Sequence, residues 1–305
     1  PHVPGDGREQ VAVRPDAVFI CAEAGRAVSG VDISAFMNHL PGRAKTDTIQ
    51  FRTANASGST SQAAAVVETV LAGAKLLLID EDSSATNFLV KDPHMRRLIP
   101  KETIVPFTDR VQELYTRLGV STLMVSGSSS AFLSAADRVI AMQDFQPVWV
   151  ADQVDALALP PPKRSLKPLV VSDRRRLLTG NFDPAYYVKR LKKTLPQRIK
   201  PLRLRERVLE YGNDRLDMTH MRALVDPHQV VAIGYALRFA RKEFGGRNLA
   251  PAELAYAICA MMAERGLSVF LTDADRPVFL ARPRHLEVAG AINRLRSLKY
   301  AIDPS

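Results

Sequence analysis

An apolar run, Leu76 to Ile79, ends in two adjacent carboxylates, Asp80 and Glu81, within the stretch LLLIDEDSSATN at residues 76–87. A run of this kind reads as a buried strand of a parallel sheet, apolar on both faces, and ligands of open α/β sheets sit just beyond strand C-termini. A carboxylate at that place can hold Mg²⁺, directly or through water. Its neighbour can orient or deprotonate an attacking water, a role worth roughly 10²–10⁴ in rate. Upstream, NASGSTSQAA at residues 55–64 sets Ser57, Gly58 and Ser59 before a helical pattern. Free N–H groups and the positive dipole end of a helix suit phosphate, and small side chains let it approach. Taken singly, each has a plainer reading: an acidic turn after a strand, and a serine-capped helix after a loop.

The elements that must position these groups follow from periodicity. Residues 1–150 alternate short apolar runs with helical patterns, as α/β domains do. Gln10–Val13 and Ala17–Cys21 read as strands. Gly58–Gly73 reads as a helix with Ala63, Val66, Val67, Val70 and Leu71 on one face and Gly73 as its stop. Lys75–Ile79 is the buried strand. Pro106–Leu118 is the next helix, with Val111, Leu114, Tyr115 and Leu118 aligned, and Thr122–Val125 and Arg138–Met142 are further strands. Residues 151–168 form a linker, since Pro160, Pro161 and Pro162 favour extended geometry and forbid a helix. Residues 169–305 read as a basic, mainly helical α+β domain. Asp226 caps a helix that Gly245–Gly246 ends, Pro251–Arg265 is a second helix closed by Gly266, Ser268–Leu280 forms two short strands, and the last helix spans Arg284 to Lys299.

Order and spacing carry more than either motif alone. A small-residue loop, a helix, an apolar strand and then Asp-Glu is the succession of ATP-binding-cassette proteins, which this chain resembles. Ser57-Gly58-Ser59 with Gln62 resembles the signature loop, Ser84 to Asn87 the D-loop, and Ser126-Gly127 stands at the switch-histidine position. Residues 136–140 (ADRVI) look like the strand that follows it. PGDGRE (residues 4–9), VDIS (31–34), and the pair ARPRHLE (281–287) and NRLR (293–296) extend the resemblance to the family of predicted ATPases of the ABC class over nearly the whole chain. That family is mostly bacterial, with a kinetoplastid mitochondrial member associated with RNA-editing complexes, the branch toward which this chain leans.

The resemblance implies a P-loop NTPase sheet, here its C-terminal part, with ATP and Mg²⁺ bound at a joint between two copies. Asp80 would hold the metal and Glu81 would serve as catalytic base. Ser57, Gly58, Ser59 and Gln62 would complete the partner's nucleotide site in a head-to-tail homodimer. It also implies RNA contact, an RNA-processing complex as partner, and a mitochondrial location for the kinetoplastid branch or a cytoplasmic one otherwise. Departures lower the expected turnover: Asn87 replaces the D-loop aspartate, and Ser126 or Gly127 the switch histidine. The family's Q-loop has no clear counterpart, Asn38 being a guess at its place. No G-x-x-x-x-G-K-[ST] occurs in the 305 residues. The family's P-loop lies just before PGDGRE, so the chain is expected to begin after it and, alone, not to bind ATP tightly.

The formal net charge is +10, and residues 163–207 hold fifteen Lys/Arg against three acids, so this one segment carries the whole basic excess. Arg174, Arg175, Arg176, Lys189, Arg190, Lys192, Lys193 and Arg198 are the candidate nucleic-acid contacts, with Phe182, Tyr186 and Tyr187 among them to stack on bases. Arg190 and Lys193 would share a helical face. A solvated basic surface or a protein interface is the plainer reading, and a non-enzymatic nucleic-acid module on a degenerate ABC fold is the rival to an ATPase. His220 and His228 flanking Asp226 read as structural rather than metal-binding. Met218, Met221, Met261 and Met262 read as core, and Arg282, Arg284, Arg294 and Arg296 as a domain joint. Two lone cysteines, Cys21 and Cys259, fit a reducing compartment. No apolar stretch reaches the roughly 18 residues of a membrane span.

Overall fold

The computed structural model describes residues 13–40, 48–161, 168–203, 207–275 and 278–303. The PGDGRE motif and most of the Gln10–Val13 strand lie outside these residues.

In the first half, Ala17–Ile20 (β1) leads to an antiparallel pair, Val28–Val31 (β2) and Phe51–Thr53 (β3), and then to the helix Gly58–Leu71 (α1). Leu76–Asp80 (β4) follows, then the short helices Thr86–Leu89 (α2) and Pro93–Leu98 (α3), the helix Val111–Leu118 (α4) and the strand Ser121–Val125 (β5). The strands β1, β4 and β5 form a parallel sheet with β4 in the middle, paired Ala17↔Leu76 on one side and Asp80↔Val125 on the other. Leu77 and Ile79 of β4 are buried, whereas Leu76 and Leu78 on its other face are half-buried, so the burial on both faces expected of the run is met on one face.

The helix α1 departs from the one-faced pattern. Every residue from Ser59 to Glu68 is buried, polar Ser61 and Gln62 included. The cause is a second covering layer, the helix at 285–293 from the far end of the chain, which packs on α1. The expected helix over 106–118 is broken. A 3-10 turn at Phe107–Asp109 precedes α4, because Arg110 is buried and donates from Nε to the Ala35 carbonyl at 2.9 Å and from Nη1 to Glu113 at 2.8 Å. Tyr115, expected on the core face, is exposed. Ile140–Gln143 (β6) pairs with Gln146–Trp149 (β7) in an antiparallel hairpin through a turn at Asp144–Phe145, and among the described residues neither strand joins the parallel sheet.

The linker region opens with a helix, Ala151–Ala156 (α5), ahead of the prolines that stop it; residues 162–167 lie outside the described ones. Leu169 then returns to the core built around β4, and its N–H donates to Glu113 at 2.8 Å. The region beyond it is strand-rich before it is helical, which corrects the mainly helical expectation there. Arg175–Leu177 (β8) precedes a hairpin of Tyr186–Val188 (β9) and Lys193–Leu195 (β10), then a meander of Ile199–Arg203 (β11), Val208–Tyr211 (β12) and Asp214–Asp217 (β13).

Three helices then build the second core: Pro227–Glu243 (α6), Pro251–Arg265 (α7) and His285–Asn293 (α8). Asp226 and Gln229 form a capping box at the start of α6. The two strands expected over 268–280 are absent among the described residues, where a 3-10 turn covers Leu267–Phe270. The last helix stops at Asn293, and Tyr300–Ile302 (β14) pairs antiparallel with β8. The two halves interlock. Arg294 pairs with Glu23, Arg284 donates to the Ala17 carbonyl at 3.1 Å, and Arg296 reaches the Gly25 carbonyl at 3.5 Å. Among the described residues no helix is long and apolar enough to cross a membrane.

Candidate nucleotide site

The mouth of the sheet lies where β4 ends. Asp80 is the last residue of β4 and caps a 3-10 turn, Glu81–Ser83, by accepting from Asp82 N–H at 3.2 Å through Oδ1. Among the described residues no hydrogen-bond partner meets its other carboxylate oxygen, Oδ2. A single free carboxylate oxygen at a strand tip suits Mg²⁺, which keeps most of its waters and takes one or two protein carboxylates beside phosphate.

Glu81 is more tightly held. Its Oε2 accepts from Ser126 Oγ at 2.8 Å, Gly127 N–H at 2.9 Å and Ser128 N–H at 3.1 Å, and its Oε1 from Ser128 Oγ at 2.5 Å. The hydroxyls of Ser128 and Ser126 hold the carboxyl down at about 2 against an ordinary value of 4.5. Hydrogen bonds to the charged form favour it. The switch-position residues Ser126 and Gly127 therefore meet Glu81 directly. Ser128, the strongest of the partners, was not visible in the sequence. A carboxylate at a strand tip and a Ser-Gly-Ser loop after the next parallel strand were its only signal, because the register Asp80↔Val125 puts the two tips side by side.

The start of α1 lies against the same tip. Ser57 caps the helix, its Oγ accepting from Thr60 N–H at 3.3 Å, and its side chain is exposed. Gly58 is half-buried; a methyl group there would touch Ala22 and Ala85 at 3.5 and 3.6 Å, an ordinary contact, so packing does not demand glycine. The other two signature positions are engaged within the chain. Ser59 is buried and donates to Asn87 Oδ1 at 2.6 Å. Gln62 is fully buried, donating from Nε2 to Ser84 Oγ at 2.9 Å and accepting from Ala85 N–H at 2.9 Å, while Ser84 Oγ donates to the Asp80 carbonyl at 2.8 Å. In the single chain, then, Ser59 and Gln62 are engaged with residues 84–87. Their side chains brace residues 84–87 against α1, and only Ser57 and the backbone around Gly58 face outward.

The candidate nucleic-acid residues separate into two groups. Arg175 is corrected outright: it is 1% exposed, forks onto Asp173 at 2.7 and 2.8 Å, and donates to the Ser29 carbonyl and to Asn293 Oδ1. Arg174 donates to the Asp303 carbonyl and Arg176 pairs with its carboxylate. Arg198 lies over the Tyr186 ring at 4.8 Å and beside Glu210. Lys189, Arg190, Lys192 and Lys193 are exposed at the tip of the β9–β10 hairpin, with Tyr187 exposed beside them. The tip is a 3-10 turn closed by Lys192 at φ 48°, so Arg190 and Lys193 do not share a helix face. Asn38 donates to the Glu102 carbonyl, remote in sequence from this site. His228 bonds Asp226 at 2.8 Å, and among the described residues no group of three or more metal-ligating side chains occurs.

The family model ABC_ATPase, a P-loop domain, matches residues 1–170, more than half of the chain. The MRB1590 C-terminal domain model matches residues 204–301. The uncharacterized protein MJ1628 of Methanocaldococcus jannaschii is 31% identical over 144 residues, which cover 47% of this chain and 31% of that protein. The chain thus spans less than a third of the length of the curated relative it matches.

Proposed function

The chain belongs to the ABC_ATPase P-loop domain family, and from that premise we propose that it supplies the signature and Walker B halves of an ATP-hydrolysing site and grips RNA through the β9–β10 hairpin. The observation that carries the reading is the placing of Asp80 and Glu81 at the C-terminal tip of β4, the middle strand of the parallel sheet. Asp80 would hold Mg²⁺, which when bound neutralises charge on the nucleotide phosphates. Glu81 would receive a proton from water, which requires it to leave the Ser126–Ser128 loop, since a carboxyl held near 2 is a poor proton acceptor. The exposed Ser57 and the α1 N-terminus would face phosphate across a joint between two copies. The glycine-rich phosphate cradle of such a site is not in this sequence.

In a form of the protein carrying a P-loop, Glu81→Gln should retain ATP and abolish turnover. Hydrolysis at the wild-type rate would remove Glu81 from the role of base. A mitochondrial RNA-processing setting belongs to the same reading as a further proposal, drawn from the sequence resemblance to the kinetoplastid member. A non-enzymatic nucleic-acid module is the second reading, favoured by the fastening of Glu81 and of Asn87 within the chain. RNA affinity that does not respond to ATP in the P-loop form would select it.

A further inference from the structure

Among the described residues Glu81 has no ion-pair partner, and what holds it is the loop that follows β5. An ionised carboxylate only accepts, at about four lone-pair sites. Ser126 Oγ and the N–H groups of Gly127 and Ser128 all reach Oε2, and Ser128 Oγ reaches Oε1. Oε2, with three donors, has no room for a water proton, and Oε1 keeps a single site beside the Ser128 hydroxyl. The bonds also favour the ionised form, so a carboxyl held at about 2 instead of 4.5 takes up a proton less readily. Ser128 touches both oxygens, through its N–H at 3.1 Å and its Oγ at 2.5 Å. Ser126 has one hydroxyl hydrogen and two acceptors in reach, Glu81 Oε2 at 2.8 Å and the Ser129 carbonyl at 3.2 Å, so its hold is divided.

The loop is anchored at its ends and open between them. Val125 is paired with Asp80 in the sheet, and Phe132 packs against the core around β4. Residues 126–128 are exposed, and a methyl group on Gly127 would meet nothing within 4 Å. Among the described residues the Ser128 hydroxyl and the N–H groups of Gly127 and Ser128 bond only to Glu81. We propose that residues 126–128 form a latch on Glu81, with Ser128 as a positioning residue that clasps both oxygens and keeps the carboxylate from water until the loop lifts. The latch rests on the reading of Glu81 as base and adds the control of that base. Hydrolysis then requires a movement of the loop as well as nucleotide at the strand tip, and weakening the clasp speeds the reaction. A side chain that served the reaction directly would slow it when removed, so the sign of the effect separates the two roles.

Two measurements on Ser128→Ala test this. In the 305-residue chain, NMR of the Glu81 carboxyl carbon should show the wild type still ionised at about pH 3.5 and Ser128→Ala partly protonated there. Ser128→Thr, which keeps the hydroxyl and the N–H, should stay near the wild type. In a form carrying a P-loop, single-turnover ATP hydrolysis by Ser128→Ala should be faster by about threefold or more, with the acid limb of its rate profile moved to higher pH. Combined with Glu81→Gln, Ser128→Ala should bring no acceleration, because the clasp acts through that carboxylate. If Ser128→Ala does not fold, Ser126→Ala takes its place, with a smaller shift in the same direction. An unchanged Glu81 titration, a rate equal to or below the wild type, or an acceleration that persists beside Glu81→Gln would overturn the latch while the base stands. Wild-type turnover by Glu81→Gln alone would remove the base, and the latch with it.

Discussion

Glu81 shows how far a residue's chemistry depends on its neighbours. The sequence places a carboxylate at a strand tip, and four donors from residues 126–128 then decide its protonation. Its folded value, about 2, lies below the ordinary 4.5, so these bonds stabilise the fold above pH ~4.5 and lose that contribution as the pH falls toward 2. The stability difference between the wild type and Glu81→Gln, read from urea midpoints, should therefore be largest near neutrality and close between about pH 5 and 2. A difference that stays constant through that window would show that the loop does not select the ionised form. Arg175 carries the opposite lesson, a cation in a basic segment that is wholly structural. Arg175→Ala strands Asp173, whose side chain is 8% exposed, and should cost about 3–5 kcal/mol in thermal or urea unfolding. RNA affinity per folded molecule should not change.

Among the elements, the β9–β10 hairpin concentrates what the basic segment spreads along the chain. Its pairing Lys193↔Val188 and Thr194↔Tyr187 brings four cations and an exposed tyrosine to one tip. Replacing Lys189, Arg190, Lys192 and Lys193 with Gln should lower the slope of log affinity against log salt for single-stranded RNA by roughly 0.7 for each phosphate no longer neutralised, up to about 3. An unchanged slope would move RNA binding elsewhere. Helix α1 is the other decisive element. Its composition is that of an amphipathic helix, yet polar Ser61, Gln62 and Glu68 are buried with the rest. Each has a bonding partner outside the helix: Glu23 N–H for Ser61, residues 84–85 for Gln62, Arg26 for Glu68. Those partners come from separate stretches of chain, which is why periodicity alone reads only one apolar face.

At the scale of the molecule, the two halves are joined by charged contacts rather than by a linker alone. Arg294 and Glu23 pair with side chains each 9% exposed, and Glu23 N–H also donates to Ser61 Oγ of α1. Arg294→Gln leaves Glu23 buried without its cation. Amide exchange should then rise together in α1 and α8, by the equivalent of about 3 kcal/mol or more, while β9 and β10 keep their protection. Exchange confined to α8 would mean that the seam does not couple the halves.

Read alone, the sequence determined the parts whose signal is local. A run of four apolar residues ending in Asp80-Glu81 specifies a central strand and its tip, serine before a helical pattern specifies a cap, and Asp226 followed by Pro227 specifies a helix start. Only the tertiary structure decided which polar groups remain available. Gln62 and Arg175 look like binding residues in sequence and are consumed, Gln62 by Ser84 22 positions away and Arg175 by Asp173 beside it and by the Ser29 carbonyl 146 positions away; Ser128 looks like loop and holds the Glu81 carboxylate at the strand tip. A strand or a cap depends on its neighbours within a few residues, whereas the availability of a hydrogen-bonding group depends on everything the fold brings within about 3 Å of it.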